Sequence, residues 1–192
     1  MHSSIDHKDF YEPPGGILIW ILIFLELITF GVALIVLIGY SREDPTAYHI
    51  SRLKLNTTFG SINTVFLLTS GYFMAESLKQ FKANHLPRAT ILLQLTLLGG
   101  LSFLLLKGFE YYEKIEHGLT LGHDTFFNFY WLLTGFHVIH VFVGLTILGS
   151  ILWSLKRART PLLLEDYEAS AAFWHMCDLI WLLLFPTLYL VL

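Results

Sequence analysis

Charge is scarce in this chain of 192 residues: only 14% of them are Asp, Glu, Lys or Arg, against about a quarter in an ordinary soluble domain. That deficit excludes a solvated globule. Disorder is excluded as well, because 55% of the residues are hydrophobic and the mean hydropathy is +0.61, far more apolar surface than water tolerates. A basic excess is missing too. With 12 Lys and Arg against 15 Asp and Glu, nothing suggests a counterion-releasing grip on nucleic acid. The single cysteine, Cys177, rules out an internal disulfide and any CxxC metal or redox motif. There is no Ser/His/Asp nucleophile set, phosphate loop or paired-carboxylate site. There is also no repeat, low-complexity run or linker long enough to hold a soluble domain, so residues 1–192 read as one domain.

Long apolar runs are what the chain does have. A bilayer core about 30 Å thick needs about 20 apolar residues in a helix, and five such stretches stand between charges or turn residues: Ile17–Gly39, Leu55–Ala75, Ala89–Leu106, Phe126–Leu155 and Ala169–Leu192. The expected fold is an all-α membrane bundle of five transmembrane helices. The first span reads as permanent, being longer than a signal-peptide core and lacking an A-x-A-like cleavage site. Pro186 is expected to kink the last.

Lys8, Lys79, Lys82, Arg88, Lys156, Arg157 and Arg159 fall on the N-terminal side of the predicted bundle. Arg42, Arg52, Lys54, Lys107 and Lys114 fall on the other. The excess places the N-terminus inside and the C-terminus outside.

Within or beside the spans stand six ionisable residues: Glu26, Glu110, His137, His140, His175 and Asp178. Such groups are costly in a bilayer, normally face the bundle interior or a wet cavity, and each needs a partner. His137 and His140 share a helical face, which fits axial ligation of b-haem with His175 opposing them, or hydrogen bonding to neighbouring helices. His175 and Asp178, again three apart, fit a proton relay or a fastening of the last helix. Glu26, with no cation in its own span, is either protonated by desolvation or paired across helices. Trp20, Trp131, Trp153, Trp174 and Tyr189 read as interfacial or packing aromatics. Gly60, Ser70, Gly71, Gly99, Gly100, Gly135 and Gly144 read as points of close helix approach.

Taken in order, these residues fall into a pattern. Thr134-Gly135-Phe136-His137 with His140-Val141, then Phe173-Trp174-His175 with Asp178 and Trp181-Leu182, resembles subunit III of the haem–copper oxidases. Asn63-Thr64, Leu67-Leu68 and Ser70-Gly71 are similar to a second block of that family. Gly100, Phe103 and Glu110-Tyr111-Tyr112-Glu113 are similar to a third, and Glu26 in Phe24-Leu25-Glu26-Leu27 to its intramembrane glutamate. The resemblance covers nearly all of Ile17–Leu192, and its five helices correspond to short bacterial forms.

The resemblance implies an accessory subunit with no catalytic centre and no cofactor of its own, in a bacterial inner membrane. Haem and copper then belong to partner subunits I and II, and cytochrome c or quinol reaches the chain only through the complex. It further implies bound phospholipid and support of proton uptake, with Glu26, Glu110, His137, His140, Trp174, His175 and Asp178 as the supporting residues. Lys107, where oxidase forms often carry glutamine, departs from the pattern. The Pro-Gly-Gly before Ile17-Leu18-Ile19-Trp20, and Phe127-Asn128-Phe129-Tyr130, resemble the branch associated with nitric oxide reductases. Three rival readings remain: that branch, a free-standing b-haem protein and, last, a small transporter.

Overall fold

With no water in a bilayer core, a spanning segment must close its own backbone hydrogen bonds, and each apolar stretch does so as a helix. The computed structural model describes residues 13–157 and 163–191. Lys8 and Arg159 of the charge count, and Leu192 of the last span, lie outside the described residues. The elements are α1 Ile17–Glu43, α2 Pro45–Leu53, α3 Thr57–Lys82, α4 Leu86–Glu116, α5 Thr125–Arg157 and α6 Leu164–Pro186, followed by a π-helical turn, Thr187–Val191. No strand occurs among the described residues. By length and composition α1, α4, α5, and α6 with its π turn can cross a bilayer. α3 has 26 residues, enough in length, but Asn, Ser, Thr and Gly dilute its hydropathy.

The helices outrun the apolar stretches that predict them. α1 continues past Gly39 to Glu43. The break comes at Asp44, whose carboxylate accepts the Ala47 N–H at 3.0 Å while Pro45 occupies the first turn of α2. α4 extends beyond Leu106 to Glu116, so Lys107, Glu110 and Glu113 are helical and not loop residues. It stops where Gly118 takes a left-handed backbone and the Leu119 N–H bonds the Lys114 carbonyl at 2.9 Å. α5 has 33 residues, about 50 Å at 1.5 Å per residue. Pro186 cannot donate to the carbonyl one turn back, and there α6 opens into the π turn.

α3 and α5 both pack on α4 and α6, while α1 lies against α6 and α5. Glycines set the spacing. A Cβ at Gly100 or Gly144 would collide with the Trp174 indole, one at Gly60 with Phe185, and one at Gly99 with Ser70. Gly135, expected among these contacts, faces open space. Two expected interfacial aromatics are also misplaced: Trp174 and Tyr189 are fully buried. A hydrogen-bonding tip lets an aromatic fill the core of a bundle as readily as it sits at a headgroup boundary.

Candidate functional site

The interior carries the polar groups. On α3 the buried positions are Gly60, Asn63, Leu67, Ser70, Gly71, Met74 and Ser77, three or four apart on one face. Their partners come from other helices. Ser77 Oγ donates to the Ala89 carbonyl at 2.6 Å and lies 2.7 Å from Tyr167 Oη. Ser70 Oγ donates to the Thr96 carbonyl at 2.8 Å and accepts the Trp174 indole N–H at 3.1 Å. The Trp181 indole N–H reaches Thr64 Oγ1 at 3.0 Å. Trp174 thus joins α3, α4, α5 and α6 in one layer.

Toward the α2 end lies a closed polar cluster. Lys107 and Glu110 of α4 are 1% and 0% exposed and 3.0 Å apart. The ammonium also donates to Tyr130 Oη at 3.2 Å and Tyr189 Oη at 2.7 Å, and both phenols donate on to Glu110 Oε1 at 2.9 and 2.6 Å. All three ammonium donors are used and both carboxylate oxygens are filled. The rings of Tyr111, Tyr130, Trp181 and Tyr189 stand 4.8–5.4 Å from the cation. Glu110 was expected at a span end; its partner Lys107 was expected in a loop. Both are buried instead, because an ion is tolerated in the interior when a counter-ion and hydrogen-bonding groups surround it.

At mid-depth Glu26 meets His140 across α1 and α5, Oε2 to Nε2 at 3.3 Å, which is the cross-helix alternative of the sequence reading. His140 Nδ1 lies 2.8 Å from the Phe136 carbonyl, so Nδ1 carries a proton and donates it. Glu26 Oε2 is buried and receives no hydrogen bond among the described residues, so the two side chains meet as a close polar contact.

His137 does not share this partner. It is fully buried, stacked on Trp181 at 5.4 Å and edge-on to Phe103 at 5.6 Å, with neither ring nitrogen bonded. His175 joins Asp178, Nδ1 to Oδ2 at 3.5 Å, in a notch where a Cβ on Gly71 of α3 would collide with the carboxylate. The three histidines therefore serve three neighbourhoods. Among the described residues no three His, Cys, Asp or Glu side chains converge on a metal-sized site, which leaves the b-haem reading without the opposed imidazoles it needs.

Outside the spans, α2 ties the loops together. Ser51 donates to Asp124 at 2.7 Å, and Arg52 donates to the Tyr189 and Leu190 carbonyls at 3.4 and 3.2 Å. Burial, with the Asp124 carboxylate nearby, pushes the Tyr48 phenol above its ordinary range. α2 was not expected from sequence, although Asp44 followed by Pro45 is a helix-start signal.

The family model for cytochrome c oxidase subunit III matches residues 47–191. The chain is 26% identical over 210 residues to cytochrome c oxidase subunit 3 of Corynebacterium diphtheriae, covering 100% of both chains. It is 30% identical over 173 residues to cytochrome bo(3) ubiquinol oxidase subunit 3 of Buchnera aphidicola, covering 90% of this chain and 91% of that one. To cytochrome c oxidase subunit 3 of Mus musculus it is 33% identical over 132 residues, covering 67% of this chain and 48% of the mouse chain. Glu26 precedes the matched family region but lies within the full-length alignment to the Corynebacterium protein.

Proposed function

We propose a function from one premise: this chain belongs to the cytochrome c oxidase subunit III family. It is subunit III of a haem–copper oxidase, a transmembrane component of a respiratory complex. Its role is to support subunits I and II, which carry the haem and copper, while they reduce oxygen with electrons from cytochrome c or quinol and move protons. Relatives named for cytochrome c oxidase and for ubiquinol oxidase both match, so either donor fits.

The observation that supports this role is the closure of the Lys107–Glu110 cluster on itself. Lys107, Tyr130 and Tyr189 spend every side-chain donor inside the cluster, and both oxygens of Glu110 accept there. Trp174 is spent on holding helices. Glu26 faces His140 across α1 and α5, and Asp178, paired with His175 on α6, sits against Gly71 of α3. These side chains hold the bundle, and His137 fills its centre against Trp181. An apolar groove lined by Thr29, Phe30, Ala33, Leu132, Leu133 and Phe136 suits a phospholipid tail. Oxygen uptake by the purified oxidase tests the role. Complex stripped of this chain starts at the same rate and loses activity over fewer turnovers; equal endurance with and without the chain overturns it.

In this reading residues 1–192 form one unit with five spans, α3 being the fifth, in a bacterial plasma membrane. The bacterial relatives support the location. The N-terminus is inside and the C-terminus outside. Burial of Lys107 and Lys114 inside the bundle supports that orientation, since it leaves only Arg42, Arg52 and Lys54 as cations of the outer connections.

A second reading keeps the fold and assigns the chain to a nitric oxide reductase. Lys107 favours it, as the departure from the oxidase pattern on which the buried cluster is built. Co-purification separates the two: a haem–copper centre in the large subunit selects the oxidase, and a haem–iron centre selects the reductase.

A further inference from the structure

The tyrosines of the interior differ in what their phenols meet. Tyr48 Oη has no hydrogen-bond partner among the described residues, and Tyr167 Oη meets the Ser77 hydroxyl at 2.7 Å. Half-buried Tyr111 donates to the Thr134 hydroxyl at 2.8 Å. Tyr130 and Tyr189 instead donate to a carboxylate, both to Oε1 of Glu110, and the Tyr189 bond is the shorter at 2.6 Å. Their rings stand in a row. Trp131, half-buried and bonded to the Leu119 carbonyl of the α4–α5 connection, lies 4.6 Å from Tyr111, and Tyr111 lies 6.3 Å from Tyr130, centroid to centroid. Tyr130 is 6.4 Å from Tyr189, and Tyr189 is 6.4 Å from Trp181. Phenol and indole rings give up an electron far more readily than the aliphatic side chains around them, and rings this close pass it on. A phenol that loses an electron becomes a strong acid, and inside a bilayer its proton needs a base already within hydrogen-bond reach.

We propose that Tyr189 is a redox-active residue, oxidised by one electron while its phenol proton passes to Glu110. The electron leaves along the row of rings to a one-electron oxidant, a high-potential metal complex. The O–H bond of Tyr189 breaks and a new one forms on Oε1 of Glu110, giving a neutral tyrosyl radical beside a neutral carboxyl group. Lys107 keeps its proton and holds the positive charge that remains, with four aromatic rings 4.8–5.4 Å away. Reduction reverses both transfers. The site takes up an oxidising equivalent inside the bundle before it reaches the acyl chains outside. In the complex the oxidant is a metal centre of the partner subunits, a source that rests on the subunit III reading; the chemistry of Tyr189 rests on the cluster alone.

The test uses the full chain purified in detergent, oxidised by a photogenerated ruthenium tris-bipyridine complex with persulfate as the final electron acceptor, then frozen for electron paramagnetic resonance. A tyrosyl signal that outlives those of exposed phenols is expected, and Tyr189→Phe is expected to lose it. meta-Fluorotyrosine in place of Tyr189 keeps the shape of the side chain and is expected to add a fluorine splitting to that signal. The same label in place of Tyr72, which is exposed on α3, is not. Absence of a persistent radical, or a fluorine splitting no larger from position 189 than from position 72, overturns the redox role and leaves the subunit III reading standing. Purification of the chain with no oxidase subunit overturns that reading and not the chemistry of Tyr189.

Discussion

At the scale of single residues, the Lys107–Glu110 pair makes the sharpest demand. Truncating one partner of a buried ion pair strands the other charge, at a cost of roughly 3–5 kcal/mol. Lys107→Met is therefore expected to lower the melting midpoint in detergent sharply, read by tryptophan fluorescence. Adding Glu110→Leu is expected to recover most of the loss, because no orphaned charge then remains. Glu26 gives a second contrast. Glu26→Gln keeps a polar side chain of the same size beside His140 and is expected to stay close to the parent, whereas Glu26→Leu is expected to lose about 1–3 kcal/mol in the same assay. Glu26, His137, His175 and Asp178 are legible in sequence because an ionisable residue inside an apolar run has few places to go. Lys107 is not. It stands where Leu104-Leu105-Leu106 gives way to a charged segment, which looks like the edge of a loop, and its tyrosine partners lie 23 and 82 residues further along.

At the scale of elements, five long helices follow from the length of the apolar runs, and their ends follow less well. Hydropathy falls where α4 passes Leu106, but the helix persists to Glu116 because its charged residues find partners inside the bundle. α2 is invisible to an apolar scan because it is short, although Asp44 and Pro45 announce it. α3 is the reverse case: too polar to be chosen by composition, it has its polar residues on the buried face. Without α3 as a span the α3–α4 and α4–α5 connections exchange sides; if α3 crosses the membrane and the N-terminus is inside, the first lies inside and the second outside. A cysteine replacing Gly122 is then expected to react with a membrane-impermeant maleimide on intact cells. One replacing Asn84 is expected to react only after permeabilisation. The reverse pattern overturns the combination of α3 as a span with the N-terminus inside. The native thiol of Cys177 is buried and gives little background.

At the scale of the whole molecule, the bundle is organised with its polar groups inward and its apolar residues outward. The family pattern was legible because motif residues of four long helices meet in the layers around Trp174 and Trp181, so their order along the chain reflects one packed interior. The partition of His137, His140 and His175 among three neighbourhoods was not legible, since helical spacing fixes a shared face but not what each side chain meets across it. The cluster around Lys107 also bears on how the polypeptide is made. Tyr189, which bonds both ions, is made 82 residues after Lys107. Until that tyrosine arrives the charge pair lacks one of its two phenol partners. Burial of the pair is therefore completed by a helix end far along the chain, so its shelter depends on α6 reaching its place.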